Sequence, residues 1–157
     1  MPTRSQQGDI AETDFQARAT KLGYRVAYPY GKDCRYDLIL DNGLIRFLVQ
    51  VKSTSYQCRK NVFFVRAGRS KGHGYHRTVP YADSEIDFLV AYVVPEDTWY
   101  ILPVEALEGR SFLSLHSRHH KKPGPYEPFR ENWALLHHHH TPEARRLLQK
   151  IRQPPKP

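Results

Sequence analysis

Within the stretch YDLILDNGLIRFLVQVKST, residues 36–54, an aspartate, a glutamine and a lysine stand at spacings that two paired strands can bring together. Asn42-Gly43 between two alternating apolar segments is a strong hairpin signal. A two-residue turn there pairs Asp41 with Leu44 and sets Asp37 opposite Leu48, with Gln50 one diagonal step further on. Side chains alternate across a strand, so Asp37, Leu48, Gln50 and Lys52 are expected on one face, and Leu38, Leu40, Ile45, Phe47, Val49 and Val51 on the other. Diagonal neighbours lie about 7–8 Å apart at the backbone, close enough for two oxygen-bearing side chains to converge on one cation. Mg2+ takes octahedral oxygen ligands and keeps several waters. Asp37, Gln50, the Val51 backbone carbonyl and Glu12 could supply the remaining positions, with Mn2+ able to substitute. Such a cation makes its water a better nucleophile, and Lys52 beside it can orient that water and offset charge developing on a phosphate. The chemistry this implies is phosphodiester hydrolysis.

These groups need a helix and a sheet to hold them. Asp9 followed by Glu12 reads as a helix start, with Ala11, Phe15, Ala19 and Leu22 at helical spacing before Gly23, which predicts a helix over 9–22. The same Asp-x-x-Glu pattern can cap a helix without any chemistry, so Glu12 alone is not diagnostic. Strands are expected at 24–28, 36–41, 44–53, 62–66, 86–94 and 98–104. Residues 109–127 read as a long basic loop, followed by helices within 128–152, the second capped by Thr141-Pro142 with Leu147, Leu148 and Ile151 on one face, and a frayed tail at 153–157. At 157 residues the chain is expected to form a single domain, with its core at 8–108.

The 24 Lys and Arg against 16 Asp and Glu give a net charge of +8 and a pI near 9.6, which favours a polyanionic partner. No apolar run long enough to span a bilayer and no long basic amphipathic helix occurs, so a membrane partner is not expected. The opening residues MPTRSQQGD lack an apolar stretch, which makes the cytoplasm the expected location. Cys34 and Cys58 match neither a zinc site nor a disulfide framework and read as reduced structural thiols. Between residues 57 and 81 the cations Arg59, Lys60, Arg66, Arg69, Lys71 and Arg77 occur without an acid, interleaved with His73, Tyr75 and His76. Together with Arg35 they form the expected double-stranded DNA contact, since Lys and Arg on phosphates supply most non-specific affinity. Arg118, His119, His120, Lys121 and Lys122 either extend that footprint or are an ordinary basic loop.

Asp37 and Gln50-Val51-Lys52, with Glu12 on a preceding helix, resemble the PD-(D/E)XK nuclease motif, most closely the homing endonucleases linked to group I introns that carry QxK in place of ExK. Residues 8–12, 36–39 and 49–52 carry the resemblance, and weaker similarity runs through 75–77, 85–88 and 99–104. The resemblance implies a restriction-endonuclease-like α/β core, an αβββαβ-like arrangement with a central mixed, mostly antiparallel sheet flanked by helices. It implies that Glu12 and Asp37 are metal ligands, that Gln50 takes the place of an acid, and that Lys52 is the catalytic lysine. Tyr36 stands where the motif has proline, and Gln50 removes a negative charge that a second metal would use. Double-strand cleavage requires two active sites, so a homodimer or homotetramer is expected.

Three other readings compete. A catalytically silent DNA-binding module would keep the basic surface and lose the metal. A junction-resolving or repair nuclease would keep the chemistry and read DNA shape. A one-metal nuclease with His73 or His76 as general base lacks an accompanying acid or asparagine ligand at suitable spacing.

Overall fold

The computed structural model describes residues 1–71 and 77–138, and the following elements. Helix α1 spans Arg4–Lys21; then come strands β1 (Arg25–Ala27), β2 (Leu38–Asp41), β3 (Arg46–Thr54), β4 (Gln57–Arg59), β5 (Val62–Arg66), β6 (Gly68–Ser70), β7 (Thr78–Pro80), β8 (Phe88–Val93), β9 (Thr98–Pro103) and β10 (Phe112–His116). Helix α2, Ala134–His138, closes the described chain. Three short 3-10 turns interrupt it at Val94–Glu96, Val104–Leu107 and Glu127–Phe129. Among the described residues no helix is long and apolar enough to cross a membrane.

The first helix starts earlier than Asp9. Thr3 is its cap: its hydroxyl accepts from the Gln6 amide at 3.2 Å while Gln6 Oε1 accepts from the Thr3 amide at 2.8 Å, the reciprocal pair that satisfies two orphan donors. Glu12 is therefore a mid-helix residue and its carboxylate is not spent on capping. Ala11, Phe15 and Ala19 form the buried stripe, and Leu22, expected on it, is exposed at the C-cap.

The central sheet runs β1-β2-β3-β8-β9, antiparallel throughout except for the parallel pair β3/β8. The predicted register of the β2/β3 hairpin is corrected: Leu38 faces Val49, Leu40 faces Phe47 and Asp41 faces Arg46, so the connection holds four residues rather than two. The Asn42 side chain accepts from the amides of Leu44 and Ile45 at 3.0 and 2.8 Å, and Gly43 sits at φ 88°, a left-handed conformation in which a side chain would be strained. Leu44 is 93% exposed at the tip. Because the shift is even, every side chain keeps its predicted face, and Asp37 moves from opposite Leu48 to opposite Gln50.

The apolar face of this sheet packs against α1, with Phe15 6.0 Å from Trp99 and Gln7 hydrogen-bonded to Ser53 at 3.3 Å. The opposite face is covered by a second sheet, β10-β5-β4, joined through Thr54 Oγ1 to the Phe64 carbonyl at 2.7 Å and Tyr100 Oη to the His116 carbonyl at 3.0 Å. Strand β10 lies inside the segment expected to be loop; its alternation Phe-Leu-Ser-Leu-His buries Leu113 and Leu115. The first of the helices expected within 128–152 is instead a 3-10 turn and the short α2, parted at Glu131, which adopts φ 49° and whose carboxylate accepts from the Trp99 amide at 2.7 Å and Trp133 Nε1 at 2.8 Å. The helix expected from Thr141-Pro142 onward, with Leu147, Leu148 and Ile151, lies outside the described residues, as do His139 and His140.

Candidate active site

Strand β3 is nine residues long and β2 only four, so β2 leaves off while β3 runs on. The edge of β3 past Val49 has backbone groups without a strand partner, and buried backbone groups must find one. Asp37, just ahead of β2, supplies it: Oδ2 accepts from the Val51 amide at 2.8 Å. The same oxygen accepts from Gln50 Nε2 at 2.5 Å, and Nε2 also donates to the Val51 carbonyl at 3.3 Å. Gln50 is 6% exposed. A hydrogen-bond donor thus stands between a carboxylate oxygen and a carbonyl oxygen, two hard donors that converge on one point.

Lys52, from β3, and Glu12, from α1, complete the cluster, each in electrostatic contact with Asp37 and with the other. Burial pushes the Glu12 carboxyl up to about 7, with Asp37 and Asp9 adding repulsion and Lys52 opposing them. Burial also raises Asp37, against the Val51 amide, Lys52 and Gln50, which stabilise its ionised form. Lys52 is depressed, again chiefly by burial, against the attraction of Asp37 and Glu12. Burial thus moves both carboxyls up and the amine down, against the attraction between Lys52 and the two acids. Among the described residues no group of three or more His, Cys, Asp or Glu could hold a metal. A cation here would rely on two carboxylates plus the amide and carbonyl oxygens, a donor set that suits a hard divalent ion.

The structure brings Asp37, Gln50 and Lys52 together, the three that the strand spacing places on one face, and sets Glu12 of α1 within electrostatic reach of them. It separates the expected DNA-contact residues into distinct groups. Arg59, Lys60, Lys71 and Arg77 are exposed. Arg66 is half-buried on β5, donates to Ser70 Oγ at 3.0 Å and adds positive potential at Lys52. Arg35 and Arg69 both pair with Glu85 Oε1, at 3.4 and 3.5 Å, so an acid from outside the acid-free stretch reaches into it. His73, Tyr75 and His76 lie outside the described residues. Lys71 and Arg77 close the β6/β7 hairpin through the Lys71 amide and the Arg77 carbonyl at 2.9 Å. In that hairpin Gly68 faces Pro80, and a Cβ on Gly68 would fall 2.3 Å from the Val79 carbonyl oxygen, so no larger residue fits without moving the strand.

In the second basic stretch Arg118 is tied down: its guanidinium donates to the Glu96 carbonyl at 2.5 Å and to Thr98 Oγ1 at 2.8 Å. Cys34 and Cys58 are both free thiols. Sequence reasoning names Tyr81 only as an aromatic bounding the basic stretch and Glu85 only within the weaker similarity, and gives neither a place at the site. Tyr81 is buried beside Asp37, with burial and then the Asp37 and Glu85 charges raising its hydroxyl to about 12. Neither residue has a local pattern that announces it.

The family model for the PD-(D/E)XK endonuclease matches residues 2–126, most of the chain. The chain belongs to the PD-(D/E)XK endonuclease family. Among solved structures, the bacterial homing endonuclease I-Ssp6803I is similar to this endonuclease at 31% identity, covering 86% of this chain and 93% of its own, with a TM-score of 0.73. The Holliday junction resolvase Hjc of Archaeoglobus fulgidus shares the fold at 14% identity and a TM-score of 0.51, over 83% of this chain and 94% of its own. No curated protein matches the chain. The mixed sheet with its flanking helix agrees with the restriction-endonuclease-like core that the motif implies, and the family uses divalent metal ions and acts on DNA.

Proposed function

We propose that this endonuclease is a Mg2+-dependent, site-specific enzyme of the homing type that makes double-strand breaks in DNA as a homodimer or homotetramer. Mn2+ is expected to substitute, and residence in the cytoplasm and association with a group I intron belong to the same reading. The observation that carries it is the convergence of Asp37 Oδ2 and the Val51 carbonyl on Gln50 Nε2, with Lys52 and Glu12 alongside. Its likeness to a homing endonuclease at 31% identity over most of both chains supports the substrate class.

Glu12, Asp37, Gln50 and the Val51 carbonyl would hold the cation. Gln50 can exchange its Nε2 for Oε1 without moving its backbone, because an amide carries a donor and an acceptor at one end. When bound, the cation supplies Lewis acidity and a more readily deprotonated water. Lys52, held near Asp37 by charge, orients the attacking water by hydrogen bonding and offsets negative charge that builds on the phosphate. Asp37 keeps its geometry through the Val51 amide, so the carboxylate is in place before substrate arrives. The exposed Arg59, Lys60, Lys71 and Arg77 grip backbone phosphates, with Arg35, Arg66 and Arg69 and, between Lys71 and Arg77 in sequence, His73, Tyr75 and His76 as further contacts.

Incubation with a randomised duplex library and Mg2+, followed by sequencing of the cut ends, tests this reading. One recurring near-palindromic site is the expected result. Ends scattered without a consensus, with preferential cutting of four-way junctions, would favour the junction-resolving alternative. Binding without any cutting would favour the silent module.

A further inference from the structure

Next to Lys52 in sequence, Ser53, Thr54, Ser55 and Tyr56 join Arg4 and Gln7 of α1 in lining a cleft of about 560 Å3. The lining holds one cation, one amide, four hydroxyls and no carboxylate. Gln7 ties the two walls together through its hydrogen bond to Ser53 at 3.3 Å, and Thr54 is held by the Phe64 carbonyl at 2.7 Å. The side chains of Arg4, Ser55 and Tyr56 have no hydrogen-bond or ion-pair partner among the described residues. The floor is thus fixed while the groups that could meet a ligand are uncommitted.

The position of the cleft identifies the ligand. Helix α1 rises about 1.5 Å per residue, which puts Arg4 about 12 Å from Glu12 along the axis. Strand β3 and its continuation rise about 3.3 Å per residue, which puts Ser55 about 10 Å from Lys52. Both walls run from Glu12 and Lys52, which act on each other electrostatically, toward the Gln7–Ser53 hydrogen bond. One DNA strand carries a phosphate about every 3.4 Å of helix axis. Successive phosphates also wind about that axis and so lie farther apart in space than the rise alone, so a strand whose scissile phosphate lies in the gap would run a second phosphate, about two nucleotides away, into the cleft.

We propose that this cleft is a subsite for a non-scissile backbone phosphate of the cut strand, with Arg4 neutralising it and the Ser55 and Tyr56 hydroxyls donating to it. It is a positioning site that carries no base information, and it rests on the nuclease reading above. The cleft borders the basic stretch at 57–81, to which Thr54 is tied through the Phe64 carbonyl, so it adds a grip beside that stretch.

Equilibrium binding to a short random-sequence duplex in Ca2+, measured over a range of salt, tests it without requiring turnover. Each phosphate contact contributes about 0.9 to the slope of log affinity against log salt. Arg4→Ala is expected to lower the slope by about 0.9 with an unchanged thermal midpoint, and Arg4→Lys to restore it. Arg46→Ala, an exposed cation at the far hairpin, serves as the control and is expected to leave the slope unchanged. A wild-type slope for Arg4→Ala, in a protein that binds and cuts DNA, overturns the subsite and leaves the nuclease reading intact. A wild-type protein that binds no DNA at all overturns both.

Discussion

Two clusters of charge stand at different places on the sheet, one beside β2 and β3 and one at the β8/β9 connection, and they are built to different rules. At the β8/β9 connection Glu96, Glu127, Arg118 and Arg130 are matched in sign and number. Ser117 Oγ donates to Glu96, Arg130 pairs with Glu127 at 2.9 Å, and Arg130 Nη2 donates to the His116 carbonyl at 2.5 Å. Burial works against the Arg130 charge, yet the Glu127 hydrogen bonds and the Tyr100, Glu127 and Glu96 charges hold its guanidinium above the ordinary range. In the catalytic gap two carboxyls face one amine and share one amide. There Glu12 and Asp37 move up and Lys52 moves down, each toward its neutral form. A compensated network fixes structure; an undercompensated one is waiting for charge from outside the chain.

That contrast can be broken by removing one member from each cluster. Lys52→Ala should lower the cleavage rate about 1,000-fold, by analogy with loss of a group that stabilises developing charge, while the protein stays folded. A plasmid-nicking assay beside a thermal melt would show this. Arg130→Ala should do the reverse: it leaves Glu96 and Glu127 without their shared cation and destabilises the fold by about 3 kcal/mol, read from denaturant titration. Cleavage by that variant well below its melting range should match wild type. If Arg130→Ala lost cleavage and kept stability, the division between the clusters would be wrong.

The pH response sharpens the same division. A Glu12 pKa raised to about 7 means that the folded state binds more protons than the unfolded state between the ordinary glutamate value and about 7. Stability without divalent ions should therefore fall as pH rises through that window, and Glu12→Gln should flatten the fall. Metal affinity should change in the opposite sense, rising with pH as the carboxyl ionises. A melt series without metal, run from pH 4.5 to 7.5, tests the first part for Glu12, whose unperturbed value is 4.5.

The smallest expected effect separates two arginines that look alike in sequence. Arg77 is exposed, whereas Arg69 shares Glu85 with Arg35. Arg77→Ala should lower the salt slope of DNA binding by about 0.9, and Arg69→Ala by less, because its charge is already partly answered. Equal losses for both would mean that DNA displaces Glu85 completely.

How much of this was legible in the sequence depended on whether the signal was local. The hairpin, its two faces and the Asp37, Gln50 and Lys52 set follow from alternation, which survives an error of two residues in register but not of one. The error arose because Asn42 uses its side chain to build an Asx turn, so the loop is wider than the Asn-Gly pair implies. Helix α1 was placed late because Thr3 and Gln6 form a capping pair ahead of the Asp9 signal. Strand β10 was readable as an alternation and was masked by the basic residues after it. Glu85 on Arg69, Tyr81 beside Asp37 and Glu131 on Trp99 could not be read at all, since each joins residues that only the folded chain brings together.

The central claim is that the gap between β2 and the end of β3 is a cation site. Calorimetric titration of Mg2+ or Mn2+ into wild type and Asp37→Asn tests it without DNA. Binding in wild type that disappears in Asp37→Asn, with both proteins folded, is the result predicted here. Equal binding in the two, or none in wild type at pH 8, would contradict it.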